Sequence, residues 1–232
     1  MPKTFSLIVI LTCCTIATGA QTITWKKQEF VLKNVTASVV KLNGEEVLKV
    51  ERDLKALPFD INNMAATVDE PTYVKLQHVE LENGIIEVKL LSRIQDPSPF
   101  EGARGFIGLA FRISENDTAY ESIYVRPKNG QSEDQLARNH TVQYYSYPHY
   151  KFDRLRREAA GVYETYADIG LNEWITFRVE LAGDTAKLYI NDQKHPAFIV
   201  NKMKGDVTKG AIALWVDIGT TGYFKDLTIT KK

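Results

Sequence analysis

The feature that most constrains this chain is a two-residue period in its hydrophobicity. In "ITFRVELAG", Ile175, Phe177, Val179 and Leu181 fall on one side, and Thr176, Arg178 and Glu180 on the other. Successive side chains of a strand point to opposite faces, so this pattern belongs to a strand with one buried face. "TAKLYIND" repeats it with Ala186, Leu188 and Ile190 against Lys187 and Tyr189, and the intervening "AGDT" is a hairpin signal. Comparable runs lie at residues 36–40, 46–50, 73–81, 85–94, 105–113, 119–126, 141–146, 197–200, 210–216 and 223–230. Turn chemistry separates them: "LNGEE", "ENG", "SENDT", "KNG", "GTTG". Only residues 153–160, "DRLRREAA", have the composition of a helix, read here as a helical turn inside a long loop. The expected fold is all-β, a two-sheet antiparallel jelly-roll sandwich of about twelve strands.

Residues 1–20 are a different material. "MPKTFSLIVILTCCTIATGA" has a basic start at Lys3, an apolar run over 5–16 and small residues at Ala17, Gly19 and Ala20. This reads as a secretory signal peptide cleaved near Ala20, too short to span a bilayer. A lipoprotein site would want a small residue before Cys13 or Cys14, where Thr12 and Cys13 stand, so ordinary cleavage is the reading. Cleavage removes both cysteines, which excludes thiol catalysis and a cysteine zinc site from residues 21–232. Those residues are expected to form a single exported domain, periplasmic or secreted, and a monomer. Lys plus Arg and Asp plus Glu each number 29, so no net field draws the chain to nucleic acid.

Two strands carry an unusual outer face. In "GFIGLAFRI", Ile107, Leu109, Phe111 and Ile113 form the core side, opposite Phe106, Gly108, Ala110 and Arg112. In "AIALWVDI", Ile212, Leu214 and Val216 oppose Ala211, Ala213, Trp215 and Asp217. Small residues where Thr, Lys or Glu would be ordinary leave room for another group to approach the backbone. The segment 120–156 adds six of the chain's eleven tyrosines with Arg126, Arg138, Arg154 and Arg156. In "AYESIYVRP", Tyr120, Ser122, Tyr124 and Arg126 share a face. Rings beside planar hydrogen-bonding groups suit a sugar, whose C–H face packs on the ring while its hydroxyls meet the polar groups. The candidate binding residues are Arg112, Tyr124, Arg126, Gln143, Tyr145 and Trp215, the ligand an oligo- or polysaccharide.

Catalytic signals are weak. Glycoside hydrolysis uses two carboxylates about 5 to 9 Å apart. The nearest acidic grouping, Glu115 to Glu121 in "ENDTAYE", contains a turn signal and puts Glu121 on the core side, so it is rejected. Glu164 in "GVYETY" is the best single acid, with an arginine-paired loop role as the plainer alternative. His140 and His149 have no metal-binding spacing, and no G-x-S-x-G is present. No cofactor is called for; a structural Ca²⁺ held by loop carboxylates is compatible with the architecture but has no signature.

The strings "GLAFR", "YESIYVRP", "RNHTVQYYSYP", "GVYE", "EWITFRVELAGDTAKLYIN" and "GAIALWVDIGTTGYFKDLTI" resemble exported bacterial concanavalin A-like jelly rolls of the laminin-G and 3-keto-disaccharide hydrolase type. The resemblance runs from about Gly105 to the C-terminus and implies a jelly roll, export and carbohydrate association. The acid motif of jelly-roll glucanases is missing, so saccharide recognition on the concave face is the leading expectation. A glycan-processing hydrolase and a laminin-G-like protein-interaction module are the alternatives.

Overall fold

The computed structural model describes residues 20–232, so the signal-peptide expectation lies, but for Ala20, outside the described residues. The strands are β1 (Thr22–Trp25), β2 (Gln28–Lys33), β3 (Val35–Leu42), β4 (Glu45–Arg52), β5 (Tyr73–Leu81), β6 (Gly84–Ile94), β7 (Ile107–Ile113) and β8 (Tyr120–Val125). They continue as β9 (Val142–Tyr147), β10 (Glu164–Thr165), β11 (Ile175–Ala182), β12 (Thr185–Ile190), β13 (Phe198–Val200), β14 (Gly210–Val216) and β15 (Thr220–Lys231). Short helices α1 (Met64–Thr67), α2 (Pro127–Gly130), α3 (Gln135–Asn139) and α4 (Phe152–Glu158) occupy loops. One sheet has the order β1-β2-β5-β14-β7-β8-β9-β10 and the other β13-β12-β11-β6-β15-β4-β3. All pairings are antiparallel, and the two sheets form the expected jelly-roll sandwich.

Every alternating run is a strand. Strands β1, β2 and β10 had no clear signal. The β1–β2 turn explains one omission: Lys26 and Lys27 both adopt positive φ (47° and 65°), a conformation that Asn-Gly usually advertises. The "NG" and "AGDT" turns close their hairpins as read, with Leu42 opposite Glu45 and Ala182 opposite Thr185. The helical turn in the long loop is α4, a seven-residue helix with Asp153–Arg157 and Arg154–Glu158 pairs on its surface.

The two sheets bury themselves differently. In β11, buried Ile175, Phe177, Val179 and Leu181 alternate with half-buried Thr176, Arg178 and Glu180, as a strand with one wet face should. Strands β7 and β8 are buried at every position, on both faces. A third layer therefore covers the outer face of the first sheet. It is made of the chain between β4 and β5 and of the loop carrying α4. Tyr120 Oη donates to Asp69 O (3.3 Å), Trp215 Nε1 donates to Glu70 O (2.9 Å), and Lys151 ion-pairs with Glu70.

Gly108 shows why its strand carries small residues. Its cross-strand neighbours are Tyr124 and Trp215, whose rings meet with centroids 4.9 Å apart. The space above Gly108 is filled by the protein's own rings. The aromatic layer continues through Tyr145, Tyr120, Tyr147 and Tyr73 at centroid separations of 5.0–5.8 Å. Each such contact contributes about 0.5–1.5 kcal/mol beyond area burial.

Alternation fails at Arg112. The register of β7 against β14 shifts between Ala211 and Ala213, and Arg112 takes φ +53°, the mark of a β-bulge. The bulge turns its side chain away from the outer face. Arg112 Nη2 donates to Glu82 O (3.1 Å) and Gly183 O (2.6 Å), joining the β5–β6 turn to the β11–β12 turn of the other sheet.

Gly108→Ala tests the aromatic layer. The new Cβ would lie 2.5 Å from Tyr124 Cα and press on Ile123 O. The expected loss is about 2 kcal/mol, or about 4–8 °C in Tm. Thermal unfolding within about 1 °C of the parent would contradict the close approach.

Candidate functional site

At one end of the covered sheet the third layer leaves a pocket of about 190 Å³. Tyr124 and Arg126 enter it from the end of β8, Phe106 from just before β7 and Asp217 from just after β14. Loop residues Phe100, Gly102 and Arg104, Asn129 of α2, His140 after α3, and Phe152 and Arg156 of α4 complete the sides. Met64, Val68 and Asp69 close it from the segment between β4 and β5. Residues from six separate segments converge because antiparallel strands bring their connecting loops to one rim.

A buried ion pair organises the floor. Arg52 Nη1 and Asp217 Oδ1 lie 2.7 Å apart, their side chains 1% and 3% exposed. Arg52 also donates to Thr67 O (2.7 Å) and Pro58 O (3.0 Å), which ties the covering segment to β4. Asp217 accepts from the N–H groups of Ile218 (2.7 Å) and Asp69 (3.0 Å). Burial pushes the Asp217 carboxyl up, with Arg52 and these N–H groups opposing.

Asp69 is the pocket's own acid. It adopts φ +55°, sparsely populated for a residue with a side chain, and its Oδ2 accepts from Phe152 N (2.9 Å), capping α4 from a distant segment. Burial raises its carboxyl from the ordinary 3.8 to about 6, with the charge of Asp217 adding and the Phe152 N–H, Arg126 and Lys151 opposing. Across from it, Arg126 donates to His140 O (2.9 Å) and Tyr124 Oη (2.5 Å), with its guanidinium 5.7 Å from the Phe152 ring centre. Burial carries the Tyr124 hydroxyl well above its ordinary range, so it is a neutral hydrogen-bonding group.

Of the sequence candidates, Tyr124 and Arg126 reach the pocket. Trp215 and Tyr145 stand behind Tyr124 as fully buried supports, Tyr145 Oη lying 3.0 Å from Tyr120 Oη. Gln143 is buried and donates to Tyr144 O (2.8 Å) and Tyr163 O (3.0 Å), bracing the loop before β10. Glu164, opposite Gln143 in the β9–β10 pair, lines a separate open cleft. Its carboxylate is held by Arg156 (2.8 and 3.2 Å) and lies 2.7 Å from His140 Nδ1. His140 and Arg156 form the wall between cleft and pocket, and burial holds the His140 imidazole below its ordinary range against the pull of Glu164. Arg112 lies at the opposite end of β7 from Phe106 and takes no part. The groove expected along the small-residue face is therefore corrected: the rings close it, and only its end stays open. Phe106 lies on the outer face that alternation marks, whereas Asp69 and Phe152 carry no signal, because no pattern in "TVDEPT" or "YKFDRLR" marks a residue that meets β8 only through tertiary folding.

Among the described residues no three acidic, histidine or cysteine side chains gather as a metal site would need, and no helix is long and apolar enough to cross a membrane.

Solved structures resemble this fold. The carbohydrate-binding module CBM66 from Bacillus subtilis superposes with a TM-score of 0.52 at 14% identity, over 85% of this chain and 96% of the module. A Bacillus subtilis protein with a galectin-like fold gives 0.48 at 10% identity, over 85% of this chain and 87% of that one. The Bacillus licheniformis β-glucanase gives 0.42 at 12% identity, over 86% and 82%. No family model matches the sequence, and neither does any curated protein. The likeness to the module is one of fold alone.

The raised Asp69 carboxyl makes stability depend on pH. A folded value of about 6 against 3.8 means the native state holds this proton more tightly, an advantage complete below pH 3.8 and lost as pH rises through about 6. The difference corresponds to about 3 kcal/mol. Asp69→Asn keeps an acceptor for Phe152 N but cannot ionise. Relative to the parent it should gain up to about 3 kcal/mol between pH 4 and pH 7.5 in urea unfolding. A pH-independent difference between the two would show that Asp69 ionises freely.

Proposed function

We propose that this chain is an exported saccharide-recognising domain whose ligand sits in the pocket at the end of the covered sheet. The observation that carries this reading is the pocket's composition. Its walls are the rings of Tyr124, Phe106, Phe152 and Phe100, and its polar groups are the planar side chains of Arg126, Asn129 and Asp69. Apolar walls with a few placed polar groups are what a small-ligand site requires, and ring faces suit the C–H face of a sugar. Rigid supports behind Tyr124 and Arg126 keep those groups in place without ligand, which limits the ordering entropy lost on binding. A concave pocket favours this reading over adhesion to a flat protein face. Trp215, Tyr145 and Gln143 act as supports in it and Arg112 as a fold residue.

One observation favours a second reading. Asp69 is an acid half-protonated near pH 6 inside the pocket, as a general acid for glycan processing would be. Its would-be partners are engaged, Asp217 by Arg52 and Glu164 by Arg156. Recognition therefore ranks ahead of hydrolysis.

Calorimetry of the chain against a panel of mono- and oligosaccharides, with mass spectrometry of the recovered sugars, separates the readings. Recognition predicts binding of at least one sugar with the sugar recovered intact. It also predicts that Phe152→Ala, at a half-buried position, weakens binding tenfold or more, about 1.4 kcal/mol. Absence of binding across the panel would overturn the proposal. Cleavage that disappears in Asp69→Asn and persists in Glu164→Gln would install the hydrolase reading.

A further inference from the structure

Arg126 is 6% exposed, yet no carboxylate of the described residues lies within ion-pair distance of it. Buried Arg52 and half-buried Lys151 nearby each have one, Asp217 and Glu70, while buried Arg112 at the far end of β7 is met by two backbone carbonyls. Arg156 at the pocket wall is likewise matched by Glu164. Removing a cation from water without an anion costs several kcal/mol, which the Tyr124 and Phe152 rings, 4.8 and 5.7 Å from the guanidinium, offset only in part. A guanidinium has five N–H donors, and the protein engages two of those on Arg126, at His140 O and Tyr124 Oη. Arg104, on the same rim, also has no carboxylate partner and donates only to backbone carbonyls. The pocket thus holds two guanidinium groups, Arg126 and Arg104, with no carboxylate at ion-pair distance, and Asp69 is the acid that faces Arg126.

We infer that the ligand is an acidic saccharide, whose oxyanion group, a carboxylate or a sulfate ester, is received by Arg126. This deepens the saccharide reading and rests on it. A carboxylate or a sulfate ester presents two oxygens that accept two parallel N–H groups from one guanidinium, which a single sugar hydroxyl cannot do. Enclosure strengthens the pairing, since field lines in a low-dielectric pocket are poorly screened.

Asp69 sets the pH range. Its carboxyl is faced by Arg126 from β8, by Asp217 with Arg52 behind it, by Lys151 before α4, and by the hydroxyls of Tyr120, Tyr124 and Tyr145. His140, Arg104 and Arg156 complete the charged lining. An ionised Asp69 repels an anionic ligand and a protonated one does not. Affinity for an acidic sugar therefore falls as pH rises through about 6, where this carboxyl titrates.

The test uses calorimetry on the full chain with short oligomers of galacturonate, glucuronate and mannuronate, each beside its carboxyl-reduced neutral form, and with sulfated oligomers of the same lengths. At least one acidic oligomer should bind tenfold or more tightly than its neutral counterpart. Stronger binding of uronates identifies the carboxylate as the group received, and stronger binding of sulfated forms identifies the sulfate ester. Arg126→Lys, which keeps the charge and loses the fork, should lower the preference at least threefold. Arg104→Gln, at a half-buried rim position, should lower it in the same direction, with thermal unfolding of the variant checked alongside. Asp69→Asn should flatten the fall in affinity between pH 5 and 7.5. Equal or tighter binding of the neutral forms overturns this inference and leaves the saccharide reading standing. No binding of any oligomer, neutral or acidic, overturns both.

Discussion

The structure hangs on the buried pair of Arg52 and Asp217. One partner ends β4 in one sheet and the other follows β14 in the facing sheet, so the 2.7 Å contact spans the sandwich at its end. Neither charge stops there. Arg52 collects the carbonyls of Pro58 and Thr67, and Asp217 accepts the Asp69 N–H, so the segment between β4 and β5 is folded back over the first sheet. Buried pairs of this kind add little net stability over an apolar replacement, but losing one partner costs about 3–5 kcal/mol. Here the pair's work is positional: it holds Asp69 in a left-handed conformation with its carboxyl in the pocket.

The covering layer changes what the sheet can do. A bare concave face offers a long groove, but in this chain the rings of Tyr124, Trp215, Tyr145 and Tyr120 interlock and are sealed by backbone carbonyls of Asp69 and Glu70. Aromatic residues thus serve as the core of an outer layer. The opening that remains lies at the end of β8, where Tyr124 still presents one edge and Arg126 begins the loop. Binding chemistry has been confined to a single rigid pocket, with ring packing behind it supplying preorganisation.

The fold was legible because period-two alternation is a direct consequence of burying one sheet face, and the twelve runs that showed it are all strands. It was illegible where the backbone departs from that geometry. Two lysines in positive φ close the first hairpin with no residue to announce it, and the bulge at Arg112 reverses its side chain without altering the sequence pattern around it. The site was half legible. Tyr124 sits on β8 and Arg126 directly follows it, so alternation placed them on the outer face and the structure finds them there. Gly108 and Ala110 were read as space for a ligand, when the cross-strand rings fill that space. Asp69, Phe152 and Arg156 come from segments with no period at all. Their meeting depends on long-range contacts, such as Phe152 N to Asp69 Oδ2, that a one-dimensional pattern does not encode.

The most direct test is a crystal structure of the chain with a bound oligosaccharide chosen by calorimetry. The account predicts a sugar ring between Phe152 and Tyr124 with an oxygen within hydrogen-bond distance of Arg126, and the Tyr145 and Trp215 rings still sealed beneath the covering layer. A saccharide lying along the sheet over Gly108, with that layer displaced, would contradict it.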